Sequence, residues 1–257
     1  MNRIDITFDR LKAEGRKGLV GFLTVGDPDL EQSEKDIRMA LDAGVDLLEL
    51  GVPFSDPTAD GMTIQESSQR ALKSGCKLSD VLGLVRRIRA DYETPIVLFG
   101  YANLLFHYGY ELICKDAADS GVDGMLVVDL PYEESDEIKQ YMDEKGLYFV
   151  SLVAPTTPAL RLEKILKDAS GFVYYIMVTG VTGARESVVV DLEEHISALR
   201  NATDLPIAVG FGVSSGEQAK VAAEHADAVV VGSALIIAAR SGRLGELVRE
   251  IRSGLDA

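Results

Sequence analysis

Two carboxylates are candidates for acid–base chemistry because of where they fall in the sequence. Glu49 lies in an apolar run, between Leu48 and Leu50. An acid buried in such a run is costly unless it is paired or protonated, and burial raises its pKa toward neutrality. A structural carboxylate that accepts backbone hydrogen bonds is the alternative role, and Glu49 taken alone does not separate the two.

The second carboxylate, Asp60, follows in a loop that contains two prolines and one further aspartate. This loop is too long and too stiff for a plain connector, and loops held by a rigid scaffold often carry function. Two carboxylates in different environments can supply a general acid and a general base. Asp129, at the end of a later apolar run, is a third candidate, for which capping or bracing a loop is the favoured role.

Three glycine-containing segments, each after an apolar run, are candidates for binding a phosphate group. Glycine lets backbone N–H groups approach an anion, and a helix that begins there presents its positive N-terminus. Tight turning is the alternative explanation for each glycine taken separately. The segments are Gly180-Val181-Thr182-Gly183-Ala184, Gly210-Phe211-Gly212-Val213-Ser214 and Gly232-Ser233-Ala234.

Metal and Schiff-base chemistry find little support in the sequence. The three histidines (His107, His195 and His225) fall in predicted helices, whereas a metal-dependent barrel enzyme needs ligands at strand ends. No lysine lies in a predicted strand, where a desolvated Schiff-base lysine would be needed. The two cysteines, Cys76 and Cys114, have neither metal-type nor redox-type spacing, which is typical of a reduced compartment.

Eight short apolar runs, alternating with segments of helical period, must position these residues. Their nearly continuous hydrophobicity predicts strands buried on both faces of a parallel sheet. Helices are predicted over Glu31–Ala43 and Ser79–Arg89, with helix starts also at Pro158, Asp191 and Ser214 and helix ends at Gly44, Gly121 and Gly146. The runs are Leu19–Val25, Asp46–Gly51, Ile96–Tyr101, Gly124–Asp129, Tyr148–Ala154, Phe172–Val178, Pro206–Phe211 and Ala228–Gly232.

A faint repeat precedes three of these strands and favours parallel connections. Together with eight strands and about as many helices, it predicts an α/β fold: a (β/α)8 TIM barrel, one domain over residues 1–257, with short extra helices. An open doubly wound sheet would instead need a dominant Gly-rich turn after its first strand. Active sites of such barrels lie at the carboxyl ends of the strands, with phosphate after strands seven and eight. The repeat comprises Ala43-Gly44-Val45-Asp46, Ser120-Gly121-Val122-Asp123 and His225-Ala226-Asp227-Ala228.

Charge and hydropathy patterning exclude two classes of partner. The net charge is −15, so clustered cations for a nucleic acid are missing, and a phosphate on a substrate must be held by local backbone dipoles. No apolar run approaches the ~20 residues needed to cross a bilayer, and Met1–Gly15 is polar with no signal-peptide character. We therefore expect a cytoplasmic protein without nucleic-acid or membrane partners.

The stretch that holds both carboxylates resembles the signature of tryptophan synthase α subunits. It is the most specific match, since glycine turns alone are shared with other phosphate-binding barrels. The matches run in family order from about residue 19 to 235. They are Leu48–Pro57, Ala59-Asp60-Gly61, Thr63-Ile64-Gln65, Gly26-Asp27-Pro28, Tyr101-Ala102-Asn103, Asp129-Leu130-Pro131, Gly180-Val181-Thr182-Gly183 and Gly210-Phe211-Gly212-Val213.

The resemblance implies a lyase of tryptophan biosynthesis that splits indole-3-glycerol phosphate into indole and glyceraldehyde-3-phosphate by a retro-aldol reaction. In that family the residue at the position of Glu49 is the general acid–base, which protonates indole C3 and assists removal of the glycerol hydroxyl proton. The residue at the position of Asp60 engages the indole N–H and stabilises positive charge on the ring. The substrate-binding residues that the resemblance implies are Phe22, Tyr101, Tyr174, Thr182, Gly183, Gly212, Gly232 and Ser233.

The resemblance also implies a partner. Family members form an αββα heterotetramer with a β subunit that carries pyridoxal phosphate, and they hold no metal or cofactor themselves. Indole passes between the two sites. The loop around Asp56 and the segment Tyr101–Asn103 are expected to face the β subunit, and the loop after Gly183 is expected to be a lid.

Several positions depart from the family pattern. Thr58 and Met62 flank Asp60 where Leu or Met and Pro are usual, so we expect a more mobile loop, a less preorganised aspartate and a lower rate. Two other functions stay open: an α-like chain that mainly regulates its partner, and a sugar-phosphate isomerase or epimerase, against which the Glu49–Asp60 loop argues. The remaining departures are Gly21 and Tyr132, each where Pro is usual, and Met177, where Ser often stands.

Overall fold

The computed structural model of the chain describes residues 1–176, 185–210 and 212–257. Within these residues nine parallel strands form one sheet, in the order β5-β4-β3-β2-β1-β9-β8-β7-β6. The strands are β1 Gly18–Thr24, β2 Leu47–Gly51, β3 Ile96–Gly100, β4 Gly124–Val127, β5 Tyr148–Phe149, β6 Ser151–Val153, β7 Val173–Ile176, β8 Ile207–Gly210 and β9 Ala228–Val231.

The two edge strands, β5 and β6, are consecutive parts of the fifth predicted strand and are separated only by Val150. The first part pairs with β4 and the second with β7, so this one segment joins both edges of the sheet. The N–H of Val150 donates to the carbonyl of Met125 in β4 at 2.9 Å, which continues the ladder across the break. The predicted (β/α)8 barrel is confirmed, with its fifth strand in two pieces.

Twelve α-helices lie in the described residues, more than the eight of an ideal barrel. The predicted helices correspond to α2 and α4, and a 3₁₀ turn at Tyr132–Glu134 precedes α7. The helices are α1 Arg3–Ala13, α2 Leu30–Ala43, α3 Met62–Lys73, α4 Leu78–Arg89, α5 Ala102–Tyr108, α6 Tyr110–Ser120, α7 Asp136–Lys145, α8 Ala159–Lys167, α9 Arg185–Ala202, α10 Gly216–Ala223, α11 Ser233–Arg240 and α12 Leu244–Leu255.

Two apolar layers explain why the strands are apolar almost throughout. One layer fills the barrel interior, and the other lies between the strands and the surrounding helices. Because successive side chains of a strand point to opposite faces, both faces must be apolar. Helix α1 contributes Ile4 and Phe8 to the interior layer, and the Phe8 ring lies 5.6 Å from that of Phe172. The amino-terminal end of the barrel is thus filled.

The repeat seen in the sequence is a staple between neighbouring strands at this same end. Each repeat contains an aspartate whose carboxylate accepts a hydrogen bond from a backbone N–H at the start of the neighbouring, preceding strand of the sheet. Each aspartate also pairs with an arginine. The bonds are Leu19 N–H to Asp46 (3.0 Å) with Arg252 (2.6 Å), Ile96 N–H to Asp123 (2.8 Å) with Arg89 (2.9 Å), and Ile207 N–H to Asp227 (2.8 Å) with Arg200 (2.8 Å).

The predicted helix ends at Gly44, Gly121 and Gly146 are confirmed. All three glycines cap their helices with a left-handed backbone, which explains the residue type because a side chain there would be strained. The predicted start at Pro158 is also confirmed, since this residue precedes α8 directly.

Four other predictions about helices need correction. Ser79 is the second residue of α4, whose capping residue is Lys77, and Ser214 lies one position before Ser215, the capping residue of α10. Asp191 lies inside α9, which already begins at Arg185, so the loop expected after Gly183 is helical from that residue on. His225 lies in the turn after α10, not in a helix, because the chain must turn there to place the Asp227 staple.

No helix in the described ranges is both long and apolar enough to cross a membrane.

Candidate active site

The central residue of β2, Glu49, lies inside the barrel between Phe22 of β1 and Val97 of β3. Its side chain is 0% exposed, and neither carboxylate oxygen has a hydrogen-bond partner among the described residues. Burial raises its pKa to about 8, because desolvation disfavours the charged form. The expected pKa shift is confirmed, and at neutral pH this carboxyl group holds a proton.

Aromatic rings surround the carboxyl group, and glycines on the strands leave room for them. Phe22 and Phe99 contact each other edge to face, with ring centroids 5.0 Å apart. A Cβ atom on Gly51 would lie 2.6 Å from the ring of Phe22. The missing side chain on β2 therefore lets that ring lie inside the barrel, beside the acid.

Asp60 is held by a tyrosine on the neighbouring strand end. The Tyr101 hydroxyl donates to the Asp60 carboxylate at 3.0 Å and accepts a hydrogen bond from the N–H of Ala59 at 3.1 Å. The ring of Phe54 packs on that of Tyr101, with centroids 4.9 Å apart. Burial raises the pKa of Asp60 to about 6, while the hydrogen bond from Tyr101 opposes the rise. Asp60 is therefore mostly ionised at neutral pH.

Tyr174 of β7 lies close enough to both carboxylates to feel their charges. It is buried, and burial raises its pKa well above the usual value. The charges of Glu49 and Asp60 raise the pKa further, so both carboxyl groups lie within electrostatic reach of its hydroxyl. Tyr174 remains a neutral phenol, which can donate a hydrogen bond but carries no charge.

The loop that carries Asp60 is also held through its backbone. The N–H of Asp60 donates to the carbonyl of Pro57 at 3.1 Å, and its own carbonyl accepts from the side-chain amide of Gln65 at 2.8 Å. Both Thr58 and Met62 are exposed. The expectation that these two residues make the loop more mobile stays a prediction.

A cavity of about 310 Å³ opens beside Glu49. It brings together six of the ten predicted site residues. Asp60 and Tyr101 are not among the residues that line it, and Thr182 and Gly183 lie outside the described residues. The lining residues are Phe22, Glu49, Ile64, Phe99, Tyr174, Gly210, Gly212, Val213, Ser214, Val230, Gly232, Ser233, Ala234 and Ile237.

Among the apolar lining residues that were not predicted are Ile64, Phe99 and Ile237. The sequence could have identified Phe99, because it lies two positions beyond Val97 on β3 and so shares the inward face of the strand with it. Ile64 and Ile237 lie on helices α3 and α11, and no spacing in the sequence brings these helices together.

The part of the cavity that Gly212 and the start of α11 line has the character of an anion site. Helix α11 begins at Ser233, directly after Gly232, and the first N–H groups of a helix, here those of Ser233 and Ala234, have no carbonyl partner within the helix. Gly212 has φ +82°, a left-handed conformation that favours glycine. The N–H of Ser214 donates to the Gln218 side chain at 2.8 Å and is not available to a ligand.

The favoured role of Asp129 is confirmed. Its carboxylate accepts a hydrogen bond from the N–H of Ala102 at 2.7 Å, at the start of α5. It therefore caps this helix and braces the segment that carries Tyr101.

Neither a metal cluster nor a disulfide is found in the described part of the chain. No three His, Cys, Asp or Glu side chains there are grouped to hold a metal ion. Cys76 and Cys114 are free and buried, and burial raises the pKa of each thiol to about 11.

Comparisons with known proteins agree over the whole length. Residues 8–251 match the family model described as tryptophan synthase alpha chain. The tryptophan synthase alpha chain of Citrifermentans bemidjiense is 52% identical over 236 residues, which cover 92% of this chain and 88% of that one. The crystal structure of tryptophan synthase subunit alpha from Legionella pneumophila superposes with a TM-score of 0.92 at 38% identity, covering 100% of this chain and 99% of that one. A structure of Mycobacterium tuberculosis tryptophan synthase gives a TM-score of 0.93 at 34% identity, covering 100% and 99%.

Proposed function

This chain belongs to the tryptophan synthase alpha chain family, and on that premise we propose how its residues perform the reaction. The reaction is the cleavage of indole-3-glycerol phosphate to indole and glyceraldehyde-3-phosphate, the lyase step of the α subunit in tryptophan biosynthesis. The observation that carries the assignment of roles is Glu49: it is fully buried, has no partner among the described residues, and borders a cavity that ends at a helix N-terminus.

Glu49 is the general acid and then the general base. With a pKa of about 8 it begins protonated and gives its proton to C3 of the indole ring. The carboxylate so formed removes the proton of the hydroxyl group on the carbon attached to C3. The carbon–carbon bond breaks, its electrons return to the ring, and the carbonyl of the aldehyde forms. Glu49 ends protonated, so the cycle needs no external acid or base.

Asp60 stabilises the positive charge that appears on the ring when C3 is protonated. Its carboxylate, ionised above a pKa of about 6, accepts a hydrogen bond from the indole N–H. Opposite charges interact more strongly in a site from which water is excluded, so the effect is largest for the charged intermediate. Tyr101 fixes the direction of the Asp60 carboxylate through its hydrogen bond at 3.0 Å.

The cavity orients the substrate between its two ends. Phe22, Phe99 and Ile64 supply an apolar surface for the indole ring. Gly212, Gly232 and Ser233 receive the phosphate group at the N-terminus of α11. Thr182 and Gly183 are proposed to contact the substrate as in the family.

The partner in this proposal is the tryptophan synthase β subunit, in an αββα heterotetramer. Pyridoxal phosphate belongs to that subunit, and this chain needs no cofactor of its own. The loop around Asp56 and the segment Tyr101–Asn103 face the β subunit, which receives the indole. We further propose that the 257 residues act as a single domain in the cytoplasm, where free thiols such as Cys76 and Cys114 stay reduced.

The test is indole release from indole-3-glycerol phosphate by the purified chain, with and without a β subunit. Slow release that rises sharply with the partner supports the proposal. Fast release by the chain alone would contradict its dependence on a partner. No release in either setting would overturn the assignment of the reaction.

A further inference from the structure

The start of α3 lacks the features that usually fix a helix N-terminus. Its capping position is Gly61, which has no side chain to accept a hydrogen bond, and its first residue is the exposed Met62. Capping side chains and a proline at the first position are the usual stabilising devices there. Asp60 directly precedes this turn, so its position depends on whatever holds α3 in place.

A buried pair of hydroxyl groups holds the helix. Thr24 is the last residue of β1 and is 4% exposed, and Ser67 of α3 is 0% exposed. Their oxygen atoms lie 2.6 Å apart. The Ser67 hydroxyl also donates to the carbonyl of Ile64 at 2.7 Å. Because one hydroxyl has one proton, Thr24 must be the donor to Ser67.

This chain of hydrogen bonds runs from the barrel wall to the first turn of α3. Thr24 is paired with Gly51 of β2, so it is anchored in the sheet. Ile64, whose carbonyl ends the chain, lines the cavity. The next residue, Gln65, donates to the carbonyl of Asp60 at 2.8 Å. The catalytic loop is thus tied to β1 through two residues of this turn.

A separate contact holds the other half of the helix. The guanidinium of Arg70 makes two hydrogen bonds to Asp27, at 2.6 and 2.7 Å. Loss of the hydroxyl pair therefore frees the first turn while the later turns of α3 remain attached.

We propose that Ser67, bonded to Thr24, is a positioning residue that sets the location of Asp60 against the indole ring. The inference rests on the roles given above to Glu49 and Asp60. The hydroxyl pair touches no reacting atom and acts through Ile64, Gln65 and the backbone of Asp60. It stabilises the start of α3, where Gly61 provides no capping side chain and Met62 stands at the first position in place of a proline.

The test compares Ser67→Ala with Ser68→Ala. Ser68 is the next residue of α3, is 4% exposed, and has no side-chain hydrogen bond within the described residues, so it is a matched control. Misplacing a catalytic group by about 1 Å can cost up to ~100-fold in rate, and we expect kcat of Ser67→Ala to fall about tenfold. We expect its KM to change by less than about threefold, and Ser68→Ala to keep the wild-type kcat.

Two variants of the partner residue keep the test decisive if Ser67→Ala folds poorly. Thr24→Ser keeps the hydroxyl and should retain most of the activity, whereas Thr24→Val keeps the shape and should lose as much kcat as Ser67→Ala. The double variant Ser67→Ala, Thr24→Val should be no slower than the slower single variant, because both remove one interaction.

Binding of glycerol phosphate separates a local displacement of Asp60 from a general loss of structure, because only the general loss would change the inhibition constant. Its inhibition constant should stay at the wild-type value in Ser67→Ala, since the phosphate end lies on α11. Wild-type kcat in both Ser67→Ala and Thr24→Val would overturn the inference, as would an equal loss in Ser68→Ala. An active Glu49→Gln variant would instead overturn the proposed function, so the two failures are distinguishable.

Discussion

Buried carboxylates at the two ends of the barrel differ in whether they have hydrogen-bond partners. At the amino-terminal end Asp123 has a side chain that is 3% exposed and accepts hydrogen bonds from the Ile96 N–H and from Arg89. Inside the barrel, toward its carboxyl-terminal mouth, Glu49 is 0% exposed and accepts none from the described residues. A carboxylate with charged and backbone partners can stay ionised when buried, whereas one without partners keeps its proton.

The difference separates stability from catalysis within one fold. The aspartates of the repeat join neighbouring strands through backbone hydrogen bonds and ion pairs. Glu49 stabilises nothing through hydrogen bonds that the structure describes, but its pKa of about 8 lies close to the pH at which it must both give and take a proton. Changes at the mouth should therefore alter rate, and changes at the opposite end should alter stability.

The largest effect is expected at the mouth. Glu49→Gln has nearly the same shape and cannot transfer a proton, so kcat for cleavage should fall by about 10³-fold or more. Steady-state release of indole measures the loss. Activity comparable to wild type would remove Glu49 from its assigned role and erase the contrast between the two ends.

The same variant tests the cost of burying the acid. The pKa of Glu49 is near its ordinary value of 4.5 in the unfolded chain and about 8 in the folded protein, so between these pH values the unfolded state binds fewer protons. Wild-type stability should therefore fall relative to Glu49→Gln as pH rises through this window, by up to about 1.4 kcal/mol per pH unit. Urea unfolding of both proteins at several pH values measures this, and parallel curves would show that the pKa is not raised.

The second effect is a loss of stability at the amino-terminal end. Asp123→Asn removes the charge that pairs with Arg89 and leaves a mostly buried guanidinium without its counter-ion, which should lower the free energy of unfolding by about 3 kcal/mol. Asp119→Asn is the control, because its pair with Lys115 is exposed and should contribute little to the free energy of unfolding. The kcat of the folded Asp123→Asn protein should match wild type; a large fall in kcat without a fall in stability would contradict the division between the two ends.

The third effect concerns pH. Asp60 must be ionised to stabilise the ring, so wild-type kcat/KM should fall as pH drops below its pKa of about 6. Asp60→Asn should lower kcat/KM about 100-fold at pH 8 and abolish this acidic limb. Tyr101→Phe, which removes the hydrogen bond that lowers the pKa of Asp60, should move the limb to higher pH. An unchanged limb in Asp60→Asn would assign it to another group.

The smallest effect is expected at the phosphate end. Gly212→Asp adds a negative charge beside the phosphate, and Gly212→Asn adds a side chain of the same shape without the charge. Both variants share the strain of φ +82°, so their difference isolates the charge. The inhibition constant of glycerol phosphate should be about tenfold higher for the Asp variant. Equal constants would place the phosphate elsewhere.

Much of this contrast could be predicted from the sequence. Continuous hydrophobicity around Glu49 predicted both the strand and the buried acid. The segments that carry these aspartates were recognised as a repeat, but the function of the aspartates as staples depends on the N–H groups of strands that lie far away in the chain. Asp129, at the end of the fourth predicted strand before Leu130-Pro131, was expected to cap or to brace a loop.

The contacts that sequence reasoning missed join residues without any shared pattern. Ser67 and Thr24 are separated by a whole βα unit, and neither residue type at its position signals a bond to the other. The hydrogen bond from Tyr101 to Asp60 likewise depends on how two loops meet at the barrel mouth. Such pairs are determined by packing, and local propensity and periodicity carry no information about them.

The most direct test of the contrast is the protonation state of Glu49 itself. Infrared difference spectra between wild type and Glu49→Gln, recorded from pH 5 to 10, report the C=O stretching band of a protonated carboxyl group. We expect this band to be present at pH 7 and to disappear with a midpoint near pH 8. A carboxyl group that is already ionised at pH 6 would contradict the central claim, because Glu49 would then have no proton to give to the indole ring.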